Sequence, residues 1–332
     1  MKKILGLGLL AALLLTLLCG CSFSINFGIY QYPNGQNYTA GSEASFSAPI
    51  DAIDVDWPAG AVKIAYHEKE TVELCETVTG SVEPAEDEIM HYWLDGTTLR
   101  VKFAASGRTL LITPQKELTI LLPRSLMLDR LSVDVASAKV DIRTDARKTI
   151  VQAASGEVTL ALSDGESVDV STASGAVSAK LAQMADVSID TASGKITLDA
   201  SQVTGAVELD SASGDMTLTV GTAKRLTAET ASGEIELAAG EISEVSFDSA
   251  SGDIRAVFTA MPRDCEIDTA SGGIRLTLPK DASFVAEVDT ASGDFDCEFA
   301  VVRKGNRYTC GTGEARLELE SASGNIRVLA GN

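Results

Sequence analysis

Hydrophobic and polar residues alternate along most of the chain in short runs that are typical of β-strands. In the stretch VSIDTASGKITL, Val187 and Ile189 share one parity, whereas Ile196 and Leu198 share the other. Side chains of a strand alternate between its two faces, so this change of parity indicates two strands that meet at a corner. The corner is Ala-Ser-Gly, and its small residues allow neighbouring layers to lie close together.

The same corner recurs at intervals of 19 to 21 residues, and a last copy follows after 31 residues. The corner glycines are Gly156, Gly175, Gly194, Gly214, Gly233, Gly252, Gly272, Gly293 and Gly324. An earlier, degraded copy carries Ala138 in place of glycine, and VDWPAGAVKI places Gly60 in register. We interpret the glycine as a residue that adopts a positive φ at the corner. A fixed period near twenty residues indicates a solenoid.

Strands that recur at this period without hairpin signals are expected to pair in parallel with their equivalents one coil later. We therefore predict an all-β fold, a right-handed parallel β-solenoid with two main strands per coil of 19–21 residues; the handedness follows the usual preference of parallel crossovers. A left-handed hexapeptide helix is the alternative. It is disfavoured because the period is not a strict eighteen and no six-residue sub-repeat is present.

Two irregular segments interrupt the repeat. Residues 65–130 are predicted to form an irregular β cap at the N-terminal end, and VVRKGNRYTCGTGEAR, residues 301–316, is expected to fold across the last coil. Such segments protect end strands, which otherwise invite pairing with another chain. End-to-end self-association of two copies remains an open alternative.

The first residues, MKKILGLGLLAALLLTLLCGC, combine two lysines, a short apolar run and small residues. We predict a lipoprotein signal peptide at residues 1–20 and a lipidated Cys21, which makes the protein extracytoplasmic and anchored to the membrane. An ordinary secretory signal and an uncleaved anchor are the alternatives. Residues 21–48 are predicted to be a flexible tether. Residues 49–130 form the first coil and cap and 131–332 the repeat solenoid, so that 49–332 is one continuous domain.

Charge narrows the choice of partners. The formal net charge is −20, and removal of residues 1–20 leaves 25 basic against 47 acidic residues, a charge of −22. Such a chain repels nucleic acid and bare anionic membranes. The expected partners are the membrane, through the lipid anchor, and an unidentified protein or cell-wall component. Aromatic residues make up only 5% of the chain, which suits thin β layers.

An acidic residue stands two positions before most corner alanines, on the outward side of the strand. Our main interpretation is a solvated face, because neighbouring carboxylates in water repel one another by less than about 1 kcal/mol. The alternative is a ladder of Ca²⁺ ligands, since this cation prefers several carboxylate oxygens. Its members would be Asp190, Asp210, Glu229, Asp248, Asp268 and Asp289. No other cofactor is expected.

Cysteine spacing matches neither a zinc site nor a dense disulfide framework. Cys297 and Cys310 either form a disulfide or remain free, whereas Cys75 and Cys265 are expected to be free. The two histidines, His67 and His91, lack metal-ligand spacing and are expected to be surface or packing residues.

No catalytic motif is recognisable, and we predict no enzyme activity and no catalytic or cofactor-binding residues. A polysaccharide-active β-helix enzyme is the least favoured hypothesis. It depends on Arg255, Arg275 and Arg327, which follow three corners at matching positions and could hold an anionic chain.

The lipoprotein start, the opening IDVDWPAGAVKI, the strand LTILLP, the serial TASGDI coils and the closing YTCGTGEARLELESASGNIRV resemble a bacterial family of putative-adhesin β-strand repeats, the domain of unknown function 4097. The resemblance covers about residues 45–330. It implies an extracytoplasmic β-solenoid, often encoded near envelope-stress regulators, and no catalytic residues. Ala138 departs from the family's glycine corner.

Two functional hypotheses follow. The first is a lipid-anchored cell-surface module for adhesion or protein interaction. The second is an accessory or sensor lipoprotein in envelope-stress signalling.

Overall fold

The computed structural model describes residues 25–26, 29–79, 84–109 and 115–331. The predicted signal peptide and Cys21 lie outside the described residues. The described chain divides between Ala176 and Val177 into two compact units. The single continuous domain predicted for residues 49–332 remains a prediction.

The first unit contains fifteen strands and one 3₁₀ helix, Gly35–Asn37, within its described residues. The strands are β1 (Ile25–Asn26), β2 (Ile29–Tyr30), β3 (Thr39–Ala40), β4 (Glu43–Phe46), β5 (Ala52–Asp56), β6 (Ala61–His67), β7 (Val72–Thr79), β8 (His91–Asp95), β9 (Thr98–Lys102), β10 (Arg108–Thr109), β11 (Gln115–Pro123), β12 (Leu128–Val135), β13 (Lys139–Arg143), β14 (Ala146–Ala153) and β15 (Val158–Thr172).

The described part of the second unit contains fourteen strands. They are β16 (Val177–Thr191), β17 (Ile196–Val203), β18 (Ala206–Ser211), β19 (Met216–Thr230), β20 (Ile235–Ser249), β21 (Ile254–Phe258), β22 (Asp264–Thr269), β23 (Ile274–Leu278), β24 (Phe284–Thr290), β25 (Phe295–Cys297), β26 (Val302–Lys304), β27 (Arg307–Cys310), β28 (Ala315–Ser321) and β29 (Ile326–Ala330).

Each regular coil has two arms, and each arm pairs in parallel with the equivalent arm of the next coil. In the second unit, Val177 of β16 pairs with Ile196 of β17, and Val187 of β16 pairs with Val207 of β18. Alternate side chains on both arms are buried, as the change of parity at the corner predicts. The parallel pairing and the two strands per coil are confirmed, whereas the right-handed sense remains a prediction.

Close packing requires the corner glycines, as their small size predicts, whereas the positive φ that we expected at the corner is wrong. Of the corner glycines, only Gly60 has a φ in the left-handed region, at +92°. A Cβ added to Gly233 would lie 2.1 Å from the carbonyl oxygen of Gly214, and one added to Gly252 would lie 1.8 Å from that of Gly233. Any side chain at these positions would force the coils apart.

Hydroxyl groups complete the corner. Thr230 Oγ1 accepts a hydrogen bond of 2.9 Å from the N–H of Gly233, and the Thr230 side chain is buried. The exposed Ser232 donates a hydrogen bond of 3.5 Å to the carbonyl oxygen of Ala212 in the neighbouring coil. The repeated sequence Thr/Ser-Ala-Ser-Gly therefore closes a turn with its first residue, donates a hydrogen bond to the preceding coil with its third and packs against that coil with its fourth.

In both units, the order of coils in space differs from their order in sequence. In the first unit, β5 and β6 lie between β12 and β13 on one side and β9 and β11 on the other, and all of these pairings are parallel. In the second unit, β28 and β29 lie between β22 and β23 on one side and β24 and β25 on the other. The first and last coils of the sequence are therefore paired along both edges.

Antiparallel strands pair with β9 and β11 in the first unit and with β24 in the second. In the first unit, β7 pairs with β11, and β8 pairs with β9. In the second unit, residues 301–316 contain the hairpin of β26 and β27, and β27 pairs with β24. These three antiparallel pairings, of β7 with β11, β8 with β9 and β27 with β24, thus cover exposed backbone edges, as expected for a solenoid that avoids pairing with other chains.

The predicted flexible tether is wrong for residues 29–46. This segment contains β2, β3, β4 and the 3₁₀ helix; β3 pairs with β8, and β4 pairs with β7. Tyr30 is only 2% exposed, and its hydroxyl donates a hydrogen bond to the carbonyl oxygen of Asp56. Burial of its aromatic rings fixes this segment, which its polar composition alone did not indicate.

Candidate interaction surface

The acidic residues before the corners form one continuous row in the second unit. Parallel pairing places each of them directly opposite the next. In spatial order the row is Asp190, Asp210, Glu229, Asp248, Asp268, Glu320 and Asp289. Because of the interleaved last coil, Glu320 lies between Asp268 and Asp289. The outward row was predicted from sequence, but this order was not.

Partial burial raises the pKa of the central carboxyl groups of this row. Burial raises the pKa of the Asp210 carboxyl, and a hydrogen bond with Asp190 opposes the rise. Burial also raises the pKa of Glu229, with further contributions from the charges of Asp210 and Asp248. The row is therefore a half-buried strip of interacting carboxyl groups rather than a set of independent surface charges.

The equivalent row of the first unit has mixed charge. In spatial order it contains Lys102, Asp56, Asp134, Gln152 and Ser171. Lys102 Nζ lies 3.0 Å from Asp56 Oδ2. Burial, together with the charge of Asp56, raises the pKa of Asp134 to about 6, and Lys102 opposes the rise.

The six residues of the predicted Ca²⁺ ladder lie in one row, in which Glu320 separates Asp268 from Asp289. Across the described ranges, no three acidic, histidine or cysteine side chains come together in an arrangement that could hold a metal ion. The two histidines bind backbone instead. His67 Nε2 lies 2.6 Å from the Thr71 oxygen, and His91 Nδ1 lies 2.9 Å from the Ile89 oxygen.

The three arginines considered for an anionic chain lie side by side. Arg275 pairs in register with both Arg255 and Arg327. Arg255 forms ion pairs with three acidic side chains, those of Glu234, Glu236 and Asp253. The first of the three guanidinium groups is thus neutralised by the protein itself.

All four cysteines of the described chain are free thiols. The disulfide considered between Cys297 and Cys310 is absent, and Cys310 Sγ instead donates a hydrogen bond of 3.3 Å to the Ala282 oxygen. Burial raises the pKa of Cys265 to about 12, so this thiol packs as an apolar group.

An aromatic cluster in the first unit was missed by the sequence analysis. The ring of Tyr32 lies 5.4 Å from that of Tyr30 and 4.8 Å from that of Tyr38, and the Tyr38 ring lies 5.6 Å from that of Trp93, centroid to centroid and edge to face. We call Tyr32, Tyr38 and Trp93, which are all half-buried, the aromatic patch. Three tyrosines within nine residues of an aromatic-poor chain were the signal that argued against a tether.

A charged rim borders the aromatic patch. Arg100 forms ion pairs of 2.9 Å with Asp54 and 3.2 Å with Asp95. Burial raises the pKa of Tyr38 to about 12, with Arg100 opposing the rise and nearby acidic groups contributing to it. Its hydroxyl therefore stays protonated at neutral pH and can donate a hydrogen bond.

Within the residues that can be described, no helix has both the length and the apolar character needed to cross a bilayer.

Stacked parallel coils with aligned corners define a β-solenoid repeat protein. The model of the Toastrack DUF4097 family matches residues 50–208 and, a second time, residues 163–329. The chain belongs to this family. No curated protein matches the chain.

Two solved structures are similar to this chain. One is described as a putative cell adhesion protein from Clostridium sporogenes ATCC 15579; it is 12% identical, with 87% of this chain and 99% of that chain covered and a TM-score of 0.22. The other is described as a putative adhesin from Bacteroides fragilis NCTC 9343; it is 13% identical, with 86% and 96% covered and a TM-score of 0.33.

Proposed function

We propose that the protein is a non-catalytic adhesion module, anchored through lipidated Cys21 and displayed at the cell surface. The observation that carries this proposal is the in-register repetition of one outward position in the second unit, where seven coils each present a carboxyl group. Repeat proteins commonly bind through such extended surfaces.

Repetition at a fixed spacing favours a partner that is itself repetitive. Parallel neighbours lie about 4.8 Å apart, so each coil offers an equivalent contact at a regular interval. Many weak contacts of this kind combine into firm attachment, because each one after the first is intramolecular. The backbone ladder and the tightly packed corners hold the positions rigid, so little conformational entropy is lost on binding.

Cell adherence tests this function. A deletion strain of the source bacterium is compared with strains that express the full chain or the Cys21→Ala variant, and attachment to surfaces and to purified cell walls is counted. We expect deletion to abolish the attachment, the full chain to restore it, and the unlipidated variant to fail while accumulating outside the cell. Unchanged adherence of the deletion strain would refute the proposal.

A charge-neutral variant tests the contribution of the row. Asp210→Asn, Glu229→Gln and Asp248→Asn keep side-chain size and remove three neighbouring charges. Attachment should fall severalfold and should lose its dependence on salt, since screening weakens contacts between exposed charges. The matched control is Glu117→Gln, Glu157→Gln and Glu166→Gln, which removes three exposed charges from the first unit.

A further inference from the structure

We propose that the aromatic patch binds a neutral polysaccharide chain, with Tyr38 and Trp93 contacting the sugar rings and the neighbouring polar groups binding the hydroxyls. This inference rests on the proposed function and adds a second binding surface to it. The site belongs to the first unit and includes no residue of the acidic row.

The concentration of rings at this place is unusual for the chain. Only 5% of all residues are aromatic, yet two short segments, residues 30–38 and 92–93, contain four of the six tyrosines and one of the two tryptophans. Tyr30 is buried and supports the others from below, with edge-to-face contacts along the series. Large apolar rings that stay half-exposed together mark a binding surface more often than isolated exposed residues do.

Backbone and side-chain bonds fix the rings before any ligand arrives. The Tyr32 hydroxyl donates a hydrogen bond of 3.0 Å to the Ala104 oxygen, and the Tyr32 N–H donates one of 3.1 Å to Ser106 Oγ. Tyr38 precedes β3, which pairs with β8 at His91 and Tyr92, next to Trp93. A preorganised surface loses little entropy on binding, which matters for sugars because each ring contact is weak.

The groups around the rings suit hydroxyl recognition. Arg100 and Asp95 form an ion pair beside Tyr38, and Asp54 is held between Arg100 and Arg130. Asn34, Gln36 and Asn37 are exposed on the 3₁₀ turn, and the described residues give their side-chain amides no hydrogen-bond partner. Amides both donate and accept, and a carboxylate accepts two hydrogen bonds from neighbouring hydroxyls.

Charge favours a neutral sugar over other ligands. An acidic polysaccharide or an anionic membrane would be repelled by a chain of net charge −20. A protein partner would have to desolvate the ion pairs of Arg100, which costs free energy unless each charge finds a new partner. Sugar hydroxyls supply such partners to both the carboxylates and the guanidinium group.

Trp93 provides a direct reporter, because the only other tryptophan, Trp57, is fully buried. The full-length protein is titrated with cellohexaose, N-acetylchitohexaose, mannohexaose and, as the acidic probe, a hyaluronan hexamer, while tryptophan emission and heat are recorded. We expect saturable binding of at least one neutral hexamer. The Trp57→Phe variant should show the same change in emission.

Variants locate the site. Tyr38→Ala and Trp93→Ala should each weaken binding about tenfold, whereas Tyr308→Ala should leave it within twofold. Tyr308 is a matched control because it also lies in an aromatic pair, with Phe295 at 4.5 Å. If an alanine variant misfolds, the double variant Asn37→Ala and Asp95→Asn serves instead, because it changes only polar groups beside the rings. It should weaken binding severalfold and leave the melting curve unchanged.

Three results would overturn the proposal: no saturable binding of any neutral hexamer, binding of hyaluronan alone, or equal weakening by Tyr308→Ala. Capture of an envelope protein that requires Trp93, without sugar binding, would also overturn it. The test separates this site from the proposed function, because adherence that disappears on deletion but survives Trp93→Ala would refute the site alone.

Discussion

The corner position differs in the size of its residue between the regular coils and the N-terminal strands. In the second unit this position is glycine, as at Gly233, which packs against the carbonyl of Gly214. In the first unit Glu117 pairs with Ala61, so Lys116 occupies the corner position next to Gly60, and its carbonyl lies against that glycine. The smallest residue and one of the longest thus occupy equivalent positions.

The difference shows that a long side chain fits at the corner position where no further coil is stacked against it. Lys116 belongs to the outermost coil of its unit. Its buried side chain extends between β7 and the rings of Trp57 and Phe103. Its ammonium group pairs with Glu76, donates a hydrogen bond of 2.6 Å to the Glu88 oxygen, and lies 4.0 Å from the centroid of the Phe103 ring. Backbone packing holds the regular coils together, whereas a buried ion pair fastens the cap.

The comparison is tested most strongly by Lys116→Met. This change leaves the Glu76 carboxylate buried without its cation, and it should lower the free energy of unfolding by about 4 kcal/mol. Urea denaturation followed by tryptophan emission measures the effect, because Trp57 lies beside Lys116. The double variant Lys116→Met and Glu76→Gln should recover most of the loss. A single variant within about 1 kcal/mol of the parent would contradict the role of the ion pair.

Gly233→Ala tests the opposite case. The new Cβ would meet the Gly214 oxygen, and we expect a loss of about 3 kcal/mol in the free energy of unfolding, measured in urea. Gly96→Ala is the control, because Gly96 has a φ of +63° and no atom within 4 Å of an added Cβ. Backbone strain alone should make it cost about 1 kcal/mol. A loss in Gly233→Ala no larger than that in Gly96→Ala would contradict close approach as the reason for the corner glycine.

Thr230→Val refines the account of the corner. The valine has nearly the same shape but cannot accept the hydrogen bond from the Gly233 N–H, so about 1.5 kcal/mol of stability should be lost. Thermal denaturation measures the change. Thr230→Ser, which keeps the hydroxyl as Ser211 and Ser249 do at their own corners, should remain close to the parent. A stable valine variant would show that the hydroxyl is dispensable.

Asp134→Asn tests how the row of the first unit makes the stability of the fold depend on pH. The folded pKa of about 6 exceeds the usual value of 3.8, so the folded state binds the proton more tightly and stability falls as pH rises from about 4 to about 6. The variant should lack this fall and should be about 1 kcal/mol more stable than the parent at pH 7, after allowance for solvent screening. Urea denaturation at pH 4 and pH 7 checks it. Identical pH profiles for variant and parent would contradict the raised pKa.

The sequence predicted the regular coils well because each repeat contains the same local information. The change of parity at residues 187–198 identified both arms, and the parallel pairing of β16 with β17 and β18 confirms it. The outward row was predicted for the same reason. The close stacking that the small corner residues predicted is confirmed by the contact of corner glycines with the carbonyl of the neighbouring coil. The predicted positive φ was wrong for every corner glycine except Gly60.

The aromatic patch shows where local patterns fail. Tyr32 and Tyr38 lie in a polar segment that reads as a linker, and Trp93 lies in a hairpin more than fifty residues later. Nothing in either segment alone specifies the other as its neighbour. Only the pairing of β3 with β8 places them side by side.

The amino-acid sequence by itself determined the strands, the corner and the period, because a repeated motif meets the same neighbours in every coil. The tertiary structure decided the placement of the first and last coils between other coils, the burial of Lys116 against Glu76 and the clustering of the aromatic rings. These features depend on which segments meet across long stretches of chain. These contacts depend on the free energy of packing the whole unit, which cannot be read from any single stretch of the sequence.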